Sequence, residues 1–149
     1  MNNTFRSEGI SVSRDQFRID GTEVEMQVLP ADIDICDRLG QGACSTVYRA
    51  VHRGTGDSFA LKMFNINDKS RRGQLTQELK ALSEMKCDCL LNFYGTFLRD
   101  GEIGIVLEFM DRGSLEILLE SKVAKLSEAG AAGIAYQVST RNHRHSTNN

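Results

Sequence analysis

Leu39-Gly40-Gln41-Gly42-Ala43-Cys44-Ser45-Thr46-Val47-Tyr48-Arg49-Ala50-Val51 and, after a polar turn, Phe59-Ala60-Leu61-Lys62-Met63-Phe64 decide the fold. Residues 33–39 and 46–52 are rich in side chains that favour strands and flank a glycine turn. Arg53-Gly54-Thr55-Gly56-Asp57 reads as a turn and residues 58–65 as a third strand. A dinucleotide fingerprint would need a third glycine where Ser45 stands, and a helix where Val47-Tyr48-Arg49-Ala50-Val51 reads as strand. The GK[ST] step of a P-loop is absent. Strand, glycine turn, strand fits a flexible hairpin whose backbone N–H groups can close over phosphates. The same letters also fit an ordinary Gly-Gln-Gly hairpin with no ligand.

Lys62 tilts that choice. It is the only charge in residues 59–64, and strand alternation puts it on one face with Ala60 and Phe64. A lysine on an inward face is unfavourable unless paired. Leu75, Leu79, Leu82 and Met85 recur at helical steps between Asp68 and Met85, and Glu78 falls on that apolar stripe. An ion pair between Lys62 and Glu78 resolves both anomalies. The alternative is that Lys62 snorkels outward and Glu78 caps the edge of the stripe.

Further out, residues 1–16 are polar and aperiodic and are expected to form a loose arm. Residues 17–26 alternate around Asp20-Gly21 as a hairpin, and Leu29-Pro30 belongs to a linker. Strands are expected near 92–98 and 103–109 around Asp100-Gly101, a short helix from Ser114, and another from Ser127 toward Val138. Gly73 loosens the start of the long helix by about 1 kcal/mol relative to alanine. The basic run Lys69-Ser70-Arg71-Arg72 reads as its solvated beginning. Residues 139–149 are polar and patternless.

The bulk properties exclude several classes. A net charge of −2 over 149 residues gives no case for nucleic acid, and no apolar run is long enough to cross a bilayer. Without an apolar signal core at the N-terminus, a cytoplasmic or nuclear protein is expected. Cys36, Cys44, Cys87 and Cys89 lack CxxC spacing, and His52, His143 and His145 lie far from a zinc pattern. Reduced thiols and no metal site are expected, with Cys44 placed in the glycine loop.

Taken as a set, these residues resemble a protein kinase small lobe. Gly40-x-Gly42-x-x-Ser45-x-Val47, Ala60-Leu61-Lys62 and Glu78 stand in that family's order. The closer resemblance, over about residues 17–138, is to the dual-specificity mitogen-activated protein kinase kinases. It is carried by residues 39–45, 50–56 and 78–82, by Asn92-Phe93-Tyr94-Gly95-Thr96-Phe97, and by Leu107-Glu108-Phe109-Met110-Asp111-Arg112-Gly113-Ser114-Leu115. The implied fold is α+β: a five-stranded antiparallel sheet plus one helix, with the first helices of an incomplete large lobe. The implied division is an arm over 1–30, the small lobe and hinge over 31–113, the start of the large lobe over 114–138, and a divergent tail over 139–149.

By the same resemblance, ATP and Mg2+ are the cofactors. Leu39, Gly40, Gln41, Gly42, Ala43, Cys44, Ser45, Thr46 and Val47 would roof the nucleotide, with Val47 and Ala60 against adenine. Lys62, oriented by Glu78, would hold the α- and β-phosphates. Leu107 would be the gatekeeper, and the Glu108 C=O and Met110 N–H would bond the adenine edge. Ser45 departs from the general kinase glycine, and Arg112 stands where this subgroup usually has glycine. Partners by family are an upstream kinase and a downstream MAP kinase phosphorylated on Ser, Thr or Tyr.

Residues 114–149 contain neither the catalytic-loop Asp with its Asn nor the Asp of a DFG motif, and thus no magnesium ligands. His143-Arg144-His145 resembles the catalytic motif only superficially, with histidine at the aspartate position. The chain is therefore expected to be truncated before the catalytic loop and inactive alone, with weak or absent ATP binding. The alternative is a non-catalytic module or dominant-negative fragment that binds pathway partners. A basic-then-aliphatic docking pattern is met only loosely, by Arg6 with Ile10 and Val12.

Overall fold

The computed structural model describes residues 4–67, 69–84, 91–120 and 127–136. It divides into one unit through Phe109 and a second from Met110 onward.

The first unit opens with four short antiparallel strands in sequential order: β1 (Phe5–Ser7), β2 (Ile10–Val12), β3 (Phe17–Ile19) and β4 (Thr22–Val24). After a 3-10 turn at Pro30–Asp32 come β5 (Ile33–Gln41), β6 (Ser45–His52) and β7 (Ser58–Asn65). A second 3-10 turn, Lys69–Arg71, leads into helix α1 (Arg72–Glu84), and β8 (Phe93–Arg99) and β9 (Glu102–Glu108) complete the unit. These last five strands form one antiparallel sheet in the order β5-β6-β7-β9-β8. This is the five-stranded sheet with one helix expected from the sequence.

Alternation along β7 divides the core. Phe59, Leu61 and Met63 join Val28, Ile33, Ala50, Phe97 and Val106 on one face. Phe64 lies on the other face with Ile103, Ile105 and Leu107, and there Leu75 and Leu79 of α1 pack. Each buried aliphatic or aromatic side chain of this kind stabilises the fold by about 1.5–3 kcal/mol. The stripe read from the sequence is thus the packing face of α1; Leu82 is half-buried, and Met85 lies outside the described residues.

The N-terminus departs from expectation. Residues 5–12 form β1 and β2 instead of a loose arm, and Phe5, Ile10, Val12 and Phe17 belong to the core containing α1. Three-residue strands carry too few alternations to be seen as a pattern, and burial beneath α1 stabilises them. Ile10 and Val12 are 2% and 0% exposed, so they are not available as docking aliphatics. The segment is also tied to β8, through Leu98 N–H to Ser13 C=O at 2.8 Å and Gln27 N–H to Tyr94 C=O at 2.8 Å.

In the second unit, α2 (Leu115–Glu120) begins with Ser114 as its cap, accepting the Ile117 N–H at 3.2 Å. Ser127 similarly accepts the Gly130 N–H at 3.1 Å at the start of α3, residues 128–136. Val138 and the polar tail lie outside the described residues. Among the described residues, no helix is long and apolar enough to cross a membrane.

Candidate active site

The glycine hairpin is closed by the Gly42 N–H donating to the Ser45 C=O at 2.8 Å, with Gly40 opposite Val47 and Gln41 opposite Thr46. The register shifts between Ile35 and Arg38 and again before Gly40, so the strand bends on its way into the loop. A Cβ built on Gly40 would meet nothing within 4 Å. Backbone and open space, not side chains, therefore line this part of the loop.

Directly opposed residues of an antiparallel sheet point to the same face. Val47 opposes Lys62, which opposes Ile105; Arg49 opposes Ala60, which opposes Leu107. Those two rows bring Val47, Ala60, Lys62 and Leu107 to one face. Leu107 is buried, whereas Val47 and Ala60 are half-buried.

On that face Lys62 Nζ donates to Glu78 Oε1 at 2.5 Å, with the two side chains 27% and 25% exposed. The ammonium also lies 5.1 Å from the centre of the Phe64 ring. A hydrogen bond between charged groups of this kind stabilises by about 1.5–3 kcal/mol. The pair seen as a possibility in the sequence is made, and the snorkelling alternative is not what the structure contains. Lys62 keeps enough exposure to meet an anion while Glu78 fixes its direction.

Glu108 ends β9 with its carboxylate bonded to the Asn92 backbone and side-chain amides at 3.1 and 3.0 Å, and its N–H donates to the Asn92 C=O at 2.9 Å. Leu39 lies exposed on β5. Met110 opens the second unit and is exposed.

Two contacts were not legible in the sequence. Arg71 donates to the Ala43 C=O, and the Cys44 thiol donates to Gln74 Oε1 at 3.3 Å, so the loop tip is tied to the start of α1. Arg72 donates from Nε to the Ile66 C=O at 3.1 Å. The basic run is therefore engaged, contrary to its reading as a merely solvated segment. Its signal was the placement of two arginines where the helix that carries Glu78 begins. At the other end of the hairpin, Asp34 accepts from Arg53 Nε and Nη2 at 2.9 and 2.6 Å. The Arg53 hydrogen bonds, reinforced by its charge, hold the Asp34 carboxyl below the usual carboxylate range, and Asp34 raises the Arg53 guanidinium in turn.

A glycine hairpin beside a lysine–glutamate pair, on a five-stranded sheet with one helix, defines a protein kinase small lobe. The protein kinase domain pattern matches residues 33–147, and the chain belongs to that family. Within the family it is similar to mitogen-activated protein kinase kinases. Mitogen-activated protein kinase kinase 2 of Arabidopsis thaliana is 35% identical over 130 residues, covering 79% of this chain and 36% of the relative. Mitogen-activated protein kinase kinase SIPKK of Nicotiana tabacum is 34% identical over 146 residues, covering 91% and 41%. Mitogen-activated protein kinase kinase 1c of Physcomitrium patens is 31% identical over 150 residues, covering 91% and 43%. The chain thus spans 36–43% of the length of these relatives.

Proposed function

We propose that this chain is the nucleotide-holding part of a mitogen-activated protein kinase kinase-like enzyme, one that transfers phosphate from ATP to Ser, Thr or Tyr of a downstream kinase. The observation that carries the reading is the Lys62–Glu78 pair at 2.5 Å, one strand from the glycine hairpin. The residues present fit a nucleotide. Gly40 leaves room for backbone to approach a phosphate, Lys62 offers a directed and still accessible cation, and Val47, Ala60 and Leu107 offer an apolar wall for a planar base. Bound ATP would supply the transferable phosphoryl group. Leu39 to Val47 would cover it, and the Glu108 backbone would bond the base edge, as the family resemblance implies.

The 149-residue chain alone binds ATP weakly and transfers no phosphate, because its sequence supplies no catalytic-loop Asp and no magnesium-binding Asp. Adding ATP and Mg2+ to purified chain should move the amide signals of Gly40, Gly42 and Ala60 in an NMR titration. Lys62→Met should abolish those shifts while leaving the β9 amides in place. Unchanged signals in the parent chain at saturating ATP would reject nucleotide binding. Phosphate incorporation into a downstream kinase by pure chain would reject the inactivity. A second reading is a non-catalytic module that binds the upstream or downstream kinase. Capture of purified downstream kinase by the Lys62→Met chain, with affinity unchanged, would support it.

A further inference from the structure

The protein kinase domain match begins at residue 33, so β1 to β4 lie outside it. Their side chains nevertheless complete the core on which α1 rests: Phe5, Val12 and Phe17 are 4%, 0% and 0% exposed and share that core with Leu75 and Leu79. Only Leu75, Thr76 and Leu79 are buried in α1. A helix of 13 residues with so narrow a buried stripe is marginal in isolation and takes its place from what it packs against.

We propose that the N-terminal sheet positions α1, so that Glu78 meets Lys62 only when the sheet is docked, and that Phe5 with Arg72 forms the joint. β1 packs beside α1, and β2 and β3 pack beside β8. The Arg72 guanidinium, at the start of α1, lies 5.9 Å from the centre of the Phe5 ring, while its Nε holds the Ile66 C=O. At the opposite margin, Phe17 meets Phe93 of β8 edge to face, with ring centres 6.0 Å apart. The N-terminal sheet therefore bridges β8 and α1, whose leucines share their core with Ile103, Ile105 and Leu107 of the main sheet as well as with Phe5, Val12 and Phe17. Glu78 follows Leu75 by three residues and directly precedes Leu79, so displacement of those leucines by about a hydrogen-bond length separates Glu78 from Lys62. Phe5 and Arg72 touch no reacting atom; they are positioning residues acting through Glu78. The geometric claim is independent of any ligand, and its consequence for ATP rests on the proposed function.

The test uses the full 149-residue chain labelled with 15N, and the ammonium signal of Lys62, which survives exchange with water only while Glu78 protects it. Glu78→Gln supplies the unpaired reference. Phe5→Ala should reduce the Lys62 ammonium signal below half its parent intensity while β7 and β9 amide signals persist, and Phe5→Leu should restore it. Ile33→Ala, a truncation in the core of the opposite face, should lower stability yet leave the ammonium signal in the folded population. If Phe5→Ala unfolds the whole chain, Arg72→Ala decides by the same readout. An undiminished signal in a folded Phe5→Ala chain, or in Arg72→Ala where that variant decides, overturns the proposal. Loss of the signal with ATP-induced shifts unaltered supports positioning by the sheet, and counts instead against the phosphate role of Lys62.

Discussion

Two kinds of hairpin in this molecule use glycine for opposite reasons. At Asp20-Gly21 and Asp100-Gly101 both residues have positive φ, 48° and 83° in one turn and 51° and 81° in the other. Such two-residue turns match the twist of the strands they join, and glycine is there because the backbone demands it. Gly40 and Gly42 are not among the positive-φ residues, and neither would bring a Cβ into a close clash. Nothing in the folded backbone requires glycine there. On the proposed function such a glycine leaves room for a phosphate to approach, and the Lys62 amine stands on the adjoining strand.

Substitutions at the two kinds of site should separate stability from binding. The largest effect is expected for Gly101→Val, which places a β-branched residue at positive φ. Its stability should fall by about 2 kcal/mol in urea denaturation, with ATP-induced shifts unchanged in the folded fraction. Gly42→Val should reverse that pattern: a roughly tenfold weaker ATP affinity, about 1.4 kcal/mol, with stability within about 0.5 kcal/mol of the parent. A Gly42→Val chain that lost stability but kept its affinity would break the distinction. Gly101→Asn sharpens it, since asparagine tolerates the left-handed region and should lower stability by only about 0.5 kcal/mol.

The smallest effect concerns the far end of the glycine hairpin. The folded Asp34 carboxyl titrates below its ordinary value because Arg53 bonds its charged form. The stability it contributes is complete above the ordinary carboxylate range and is lost as pH falls through the lowered value. Arg53→Ala should therefore flatten acid denaturation slightly below the ordinary carboxylate range. The pair is exposed, so the change will be small and will shrink further with added salt.

Legibility in the sequence followed the reach of each interaction. Strands β5 to β9 and α1 were visible because alternation and helical spacing extend over seven or more residues in each. Lys62 and Glu78 were visible as pattern violations, each a charge on an apolar face. β1 and β2 were not, because three residues show hardly one alternation and Glu8-Gly9 is a weaker turn signal than Asp-Gly. The ties from Arg71 to Ala43 and from Cys44 to Gln74 join residues 28 and 30 positions apart, a separation at which no local pattern registers.

The alternation of β7 also sets which changes in chain length the molecule can accept. Deleting one residue before Lys62 within β7, with the rest of the strand kept in place, would turn the lysine toward Leu61's side of the sheet and bring an apolar neighbour round to Glu78. The turn at residues 53–57 has no such parity, and its exposed glycines can absorb an extra residue. Insertions and deletions should therefore accumulate in that turn among relatives of this chain, while the strand keeps its count.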